Sequence, residues 1–257
     1  MTFMQSPVKI RRDIPFFYDK SETEFRADVY ERYEETVVRQ SLLHLADEVW
    51  GEYPYQKVLD WMKANLPDKP NLQIADIGCS VGRLIAEITQ KYPDSQCHGL
   101  DYSYQMLRQA QDFWVKGNGL DLDLRKRGFR RMQIKGKKLP NVSFGLAKAE
   151  KLPFDTASLD VVCNSFLLDR VAEPLQVLEE MYRVLKVGGR LLSVTPFNFQ
   201  NANHWQSFFP FSKFKNQMQM VGFQVKEREE ELVVKEYLDA NRNGVEWKCT
   251  AFLAEKI

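Results

Sequence analysis

Ile74-Ala75-Asp76-Ile77-Gly78-Cys79-Ser80-Val81-Gly82-Arg83-Leu84 reads as a strand that runs into a glycine-bearing turn and opens a helix. Gly78 and Gly82 keep side chains out of a ligand's way, while the helix start offers N–H groups to a polar or anionic partner. Many α/β proteins use such a turn only to pack helix on strand, so the turn alone decides little. The next strand closes on Asp101, 23 residues after Gly78, near the separation at which an acidic side chain meets ribose hydroxyls. Asp101 equally suits capping the helix that begins near Ser103. The two roles are compatible, and together turn and carboxylate imply a nucleoside.

Outward from this unit, short apolar runs alternate with amphipathic helices from Leu72 onward, the signature of a parallel sheet with crossover helices. Strands are expected at 72–78, 96–101, 142–147, 159–166 and 190–196, and helices at 81–92, 104–114 and 174–185. Leu84, Ile85, Ile88 and Tyr92 share one face of the first helix. Leu175, Leu178, Met181, Tyr182 and Leu185 share one side of the last, which opens with proline and is expected to end at Gly188-Gly189. Segments 223–238 and 246–256 flank the turn composition Asn241-Arg242-Asn243-Gly244 and predict an antiparallel hairpin. Residues 1–70 have a different character. The stretch 22–66 is dense in helix formers, with Phe25, Val29, Tyr33 and Val37 recurring about every four residues. The expected organisation is a helical extension or lid over 1–70 and a ligand-binding domain over 71–257.

The 257 residues are 44% hydrophobic and 28% charged, which suits one principal core and excludes wholesale disorder or a disulfide scaffold. Cys79, Cys97, Cys163 and Cys249 form no CxxC pair and read as reduced thiols. His44, His98 and His204 lie at no ligand spacing, so no metal is expected. No apolar run approaches the roughly 20 residues of a spanning helix and the start lacks a signal-peptide stretch, so a soluble, cytoplasmic protein without membrane partner is expected. A net charge of +1 gives no global attraction to nucleic acid, although eight basic residues crowd between Arg125 and Lys138. Oligomeric state is not legible.

A dinucleotide fingerprint would place glycine at 78, 80 and 83, where this chain has Gly78, Ser80 and Arg83, which weighs against a nicotinamide cofactor. Asp76, Gly78 and Gly82 instead resemble the D-x-G-x-G-x-G motif of class I methyltransferases, with Ser80 at the middle glycine. The likeness continues in order. Gly99-Leu100-Asp101-Tyr102-Ser103 with Met106 resembles the second motif. Ala149-Glu150-Lys151-Leu152-Pro153-Phe154 is similar to the adenine-side motif, with Lys148 where the family usually has aspartate. Segment 158–166 resembles the fourth strand, and Val184-Leu185-Lys186-Val187-Gly188-Gly189 the R-V-L-K-P-G-G motif, with Val187 replacing proline. The resemblance implies a Rossmann-like α/β fold, a seven-stranded mostly parallel sheet with an antiparallel last strand, and S-adenosyl-L-methionine as cofactor. It implies that Asp76, Gly78, Cys79 and Gly82 form the turn, that Asp101 holds the ribose, that Tyr102 and Met106 flank the adenine, that Ala149 and Glu150 line its edge, and that Asn164 sits beside the donor methyl.

A sulfonium is an activated donor, so the protein chiefly aligns a nucleophile and excludes water. Asp169 is the first candidate base, with a surface carboxylate paired to Arg170 as the plain alternative. Arg170 is a candidate grip for a substrate carboxylate. Tyr18, in Phe16-Phe17-Tyr18, and Trp205, near Phe197, Phe199, Phe208 and Phe209, are candidate acceptor walls; both clusters equally suit the apolar underside of a lid. Gly78 to Arg83, Leu168-Asp169-Arg170, Thr195-Pro196-Phe197 and Trp205 further resemble the methyltransferase domain of ovothiol biosynthesis, which implies an imidazole nitrogen of a thiolated histidine as acceptor. A small-molecule substrate is the leading expectation. Protein, RNA and a non-catalytic cofactor-binding role remain open.

Overall fold

A computed structural model describes residues 3–257, the side chains of Glu48 and 227–230 excepted. The extension opens with two short strands, β1 (Lys9–Arg11) and β2 (Ile14–Phe16), then runs through helices α1 (Glu22–Ala27), α2 (Val29–Arg32), α3 (Glu34–Leu45), α4 (Asp47–Trp50) and α5 (Gln56–Asn65). The α/β part follows as β3 (Gln73–Ile77), α6 (Arg83–Lys91), β4 (Gln96–Asp101), α7 (Tyr104–Ala110), β5 (Leu120–Leu122), β6 (Met132–Ile134), β7 (Val142–Leu146), β8 (Leu159–Ser165), α8 (Pro174–Val184) and β9 (Leu185–Thr195). Helices α9 (Ala202–Phe208) and α10 (Phe211–Val221) precede the hairpin β10 (Phe223–Tyr237) and β11 (Gly244–Lys256).

The main sheet has the order β1-β2-β7-β4-β3-β8-β9-β11-β10. Strands β2, β7, β4, β3, β8 and β9 run parallel, β11 runs antiparallel to β9 and β10 antiparallel to β11. The fold is therefore the Rossmann-like α/β arrangement, with nine strands instead of seven because the extension adds β2 and β1 beyond β7. Side chains alternate across the sheet. Ile74, Val161 and Cys163 enter one core with α3, α5, α6 and α7, while Ala75, Ile77 and Val162 enter the other with α8 and α10. The first strand of this core, β3, has β4 on one side and β8 on the other, so the chain leaves it in both directions and a crevice opens at the carboxyl ends of these strands.

Three local expectations change. The stripe Phe25, Val29, Tyr33, Val37 is not one helical face: the chain turns extended at Asp28 and Tyr33, Asp28 caps α2 through Tyr30 N–H, and Phe25, Val29 and Tyr33 are exposed. Gly188-Gly189 does not end α8, which stops at Val184. Instead, residues 186–189 bulge inside β9 between the pairs Leu159↔Leu185 and Val161↔Arg190, with Gly188 at φ +73°. The helix expected over 104–114 is α7 followed by a wider π turn, Gln111–Val115.

Candidate active site

The turn after β3 is folded over the end of β4 by main-chain bonds. Gly78 and Cys79 both donate N–H to Leu100 O, at 2.8 and 2.9 Å. Asp101 ties the turn from below: Oδ2 accepts Ser80 N–H at 2.8 Å and Oδ1 accepts Ser103 N–H at 2.7 Å. Asp101 thus supports the turn and holds Ser103, while Ser103 itself caps α7 through Met106 N–H, and each Asp101 oxygen keeps a lone pair for a further donor. Burial pushes Asp101 up to about 6, against the lowering effect of those N–H groups. Asp76 is buried and raised to about 8, by desolvation first and the Asp101 charge second, and its Oδ1 has no hydrogen-bond partner among the described residues. No side chain caps the start of α6. A buried and a half-buried carboxylate with accepting capacity beside uncapped N–H groups fit a ligand that brings hydroxyl and ammonium donors together with an anionic end, as S-adenosylmethionine does.

The two turn glycines have different reasons. Gly78 has φ +77°, and a Cβ there would meet Leu167 Cδ1 at 3.0 Å. At Gly82, with φ +78°, a Cβ would lie 2.6 Å from the ring of buried Phe144. The requirement at Gly82 is packing beneath the turn.

Of the residues expected to flank an adenine, Met106 is buried and its Sδ accepts Ser80 Oγ–H at 3.8 Å. Tyr102 is half-buried. Its ring faces Tyr18 at 6.1 Å, and Lys20 Nζ stands 3.9 Å from its centroid. Ala149 and Glu150 are half-buried just beyond β7. Lys148 Nζ pairs with Glu24 Oε1 at 2.6 Å. Lys20 is itself held between Asp28 and Glu31, and Glu31 Oε1 accepts Tyr104 N–H at 2.7 Å. The extension is therefore fastened to the donor side by specific polar contacts.

Beyond β8, Leu167 under Gly78 leads directly into Asp169 and Arg170. Asp169 is no surface carboxylate: it is 1% exposed, accepts Thr195 Oγ1 at 3.3 Å and Asn198 N–H at 3.1 Å, and burial raises its pKa. The side chain of Arg170 is 42% exposed, lies 3.6 Å from Asp169 and sits over the Trp247 ring at 5.7 Å. Asn164 faces the core, where its Oδ1 accepts Ser193 Oγ at 2.8 Å and its Nδ2 meets Met181 Sδ. Trp205 is not gathered with these residues. It donates to Phe199 O and packs on Phe199 and Phe209, and Phe197, Phe199 and Phe208 are buried in the second core.

An aromatic surface that sequence reasoning missed lies elsewhere. Tyr55 packs edge-on to Phe166 at 5.3 Å, Phe166 edge-on to Trp247 at 6.2 Å, and Trp247 Nε1 donates to Glu236 Oε2 at 3.1 Å. Burial raises the Tyr30 pKa, the Asp101 and Glu236 charges add to the rise, and Arg39 and Arg170 oppose it. Nothing in the spacing of Tyr30, Tyr55, Glu236 and Trp247 links them, although the alternation Trp247, Cys249, Ala251 marks one face of a strand.

Residues 75–193 match the family described as methyltransferase domain. The chain is 24% identical over 143 residues to trans-aconitate 2-methyltransferase of Deinococcus radiodurans, covering 56% of this chain and 45% of that one. It is 31% identical over 126 residues to a ubiquinone/menaquinone biosynthesis C-methyltransferase of Desulfotalea psychrophila, covering 48% and 42%. It thus spans less than half the length of these two relatives. A SAM-dependent methyltransferase from Aquifex aeolicus shares the fold, with a TM-score of 0.53 at 17% identity over 88% of this chain and 100% of that one. No helix among the described residues is long and apolar enough to cross a membrane. Residues 75–193 are thus similar to S-adenosylmethionine-dependent methyltransferases, whose methyl donor is the cofactor that the turn at Gly78 suits.

Proposed function

We propose that the protein transfers the methyl group of S-adenosylmethionine to a nitrogen or oxygen of a small metabolite held at Arg170. The observation that carries this reading is the contact of Leu167 with Gly78, which sets the Asp169–Arg170 pair immediately beside the donor turn. In this reading residues 71–257 are the methyltransferase domain and 1–70 an extension that covers its site. Asp101 receives the ribose hydroxyls, Tyr102 and Met106 flank the adenine, Ala149 and Glu150 line its edge, and Asp76, Gly78, Cys79 and Gly82 form the turn. Asn164 contributes through the end of β8, its side chain being engaged in the core.

The bound cofactor supplies an already activated methyl group. What remains for the chain is alignment, exclusion of water and, for an acceptor carrying a proton, a place to put it. Arg170 offers a two-pronged grip for an anionic group, while Phe166 and Trp247, more than Trp205, offer faces for a planar acceptor. Asp169 is the proton acceptor, its basicity raised by burial. A thiolated histidine has the matching parts, a carboxylate for Arg170 and a planar imidazole for the aromatic pair, and is the first pure acceptor to test. The relatives named for trans-aconitate and for quinone biosynthesis also support a small acceptor over a macromolecule.

The deciding experiment incubates methyl-labelled S-adenosylmethionine with a cell extract and the protein, alongside Asp101→Ala. Label in small molecules that depends on Asp101 is expected. Label confined to protein or RNA overturns the small-molecule reading, and no Asp101-dependent label in an extract that supplies metabolites counts against transferase activity.

A further inference from the structure

The extension brings to the donor side a carboxylate that the strand ends lack. With the ribose at Asp101, the base has to run along the carboxyl ends of β4 and β7, which lie side by side through the pair Asp101↔Leu146. The first side chain beyond β7, Lys148, is a donor only, as is Lys20 over the Tyr102 ring. Adenine presents an exocyclic amino group that needs an acceptor. Glu24 of α1 stands there. Lys148 Nζ is 2.6 Å from its Oε1, and the Tyr18 hydroxyl lies 2.7 and 2.6 Å from its two oxygens. Ser21 closes a capping box on it from N–H at 2.9 Å. Lys148 also lies 4.3 Å from the Tyr18 ring and 5.9 Å from the Tyr102 ring, so all four side chains surround one spot. Tyr18 reaches both oxygens and occupies one at a time, and the Ser21 Oγ, which also lies 2.9 Å from Oε2, is the hydroxyl donor that a ligand's amino group would replace.

We propose that Glu24 is the carboxylate that recognises the 6-amino group of the cofactor's adenine, with Lys148 as its counter-ion and Tyr18 as its orienting donor. The proposal rests on the S-adenosylmethionine reading above. The extension then completes the donor site. Glu150, next along the turn beyond Lys148, is the competing acceptor, but no hydrogen bond or ion pair among the described residues orients it.

The test is calorimetry with S-adenosylhomocysteine and with S-inosylhomocysteine, in which a carbonyl replaces the amino group. Glu24→Gln retains the capping contact to Ser21, so the fold is preserved. The native protein is expected to prefer the adenosyl compound by about a hundredfold, because a carboxylate facing a carbonyl leaves both acceptors without a proton between them. Glu24→Gln, whose amide both accepts and donates, is expected to weaken adenosyl binding about tenfold and to reduce the preference to a few-fold. A preference that survives Glu24→Gln, or one lost in Glu150→Gln instead, overturns the proposal. Failure of the native protein to bind S-adenosylhomocysteine at all strikes the cofactor reading itself, a result distinct from either.

Discussion

The donor turn and the proposed acceptor surface are held by different forces. The turn draws on one contiguous stretch, 74–106, and its shape is written in main-chain N–H groups, Gly78 and Cys79 donating to the Leu100 carbonyl and Ser80 and Ser103 to the Asp101 carboxylate. The proposed acceptor surface takes Tyr55 from the extension, Phe166 and Arg170 from the loop after β8, and Glu236 and Trp247 from the hairpin, joined by ring contacts and single polar bonds. A site made of backbone tolerates few changes at its glycines and carboxylate. A surface made of side chains from separate elements varies freely without disturbing the sheet, which is how one fold serves many acceptors.

The sharpest way to break this division is at Asp169. Asp169→Asn keeps an acceptor for Asn198 N–H and turns its amide NH2 to Thr195 Oγ1, which can accept, while removing the proton-accepting charge, so kcat is expected to fall by about 10²–10⁴ for an acceptor that must lose a proton. Calorimetric affinity for S-adenosylhomocysteine should stay within twofold of the native value, a margin set at roughly RT ln 2. A matching loss of donor affinity would show that the two halves are one site. Unchanged kcat would leave Asp169 as a strut for the loop.

The next largest effect concerns stability. Gly82→Ala puts a methyl into the Phe144 ring at a positive φ, and about 2–4 kcal/mol of destabilisation is expected from overpacking plus left-handed strain. Gly188→Ala carries a similar φ of +73° with nothing within 4 Å of the new carbon, so only the strain, about 1–2 kcal/mol, should appear. Denaturation midpoints compare the two directly. Equal costs would mean that Phe144 moves aside and that packing under the turn is softer than its geometry suggests.

Protonation separates the halves more gently. Asp101 at about 6 and Asp76 at about 8 both lie above an unfolded carboxylate near 4. Their contribution to folding is therefore fully present below about pH 4 and lost as pH rises through 6 and then 8, so the ligand-free protein should lose thermal stability across that window. Ribose hydroxyls donate to the ionised carboxylate, so affinity for S-adenosylhomocysteine should rise from pH 5 to 7 by at most about tenfold per unit. Asp101→Asn should flatten both profiles near pH 6. A native profile already flat there would remove Asp101 from ribose binding.

The same division explains what could be read from the chain. The turn, Asp101 and the strands around them were legible because contiguous backbone structures leave fixed spacings of glycine, carboxylate and apolar residues. The hairpin was legible from Asn241 to Gly244 for the same reason. Trp247 was not, because its partners Phe166 and Arg170 meet it only through the pairing of β11 with β9 and β9 with β8. Trp205 drew attention by aromatic density, but that density fills the second core around Phe214 and Phe252. The regular stripe in the extension failed because Asp28, which caps well, restarts the helix midway. Lys148 was legible as a departure from the family pattern, while its partner Glu24 lies too far along the chain for any spacing to reveal.

The smallest expected effect tests whether a third region, the basic segment, belongs to either half. Three of its eight basic residues are answered within the protein: Arg125 pairs with Asp123, Arg127 with Glu35 and Arg131 with Asp121. Leu122 and Leu124 are buried, Phe129 packs edge-on to Trp50 at 5.4 Å, and Lys137 and Leu139 donate N–H to the π turn at Phe113 and Trp114. A segment so anchored, with its three paired arginines held at home, has fewer charges free to follow phosphates. Lys126→Ala, Arg130→Ala and Lys135→Ala together should change small-molecule turnover by less than about twofold, because exposed charges more than a Debye length from a site are screened. An RNA substrate makes the opposite demand: each lost phosphate contact would weaken binding and lower the slope of log affinity against log salt by about one. Turnover that drops in step with such a slope would move the acceptor from the aromatic surface at Trp247 to a nucleic acid lying across this segment.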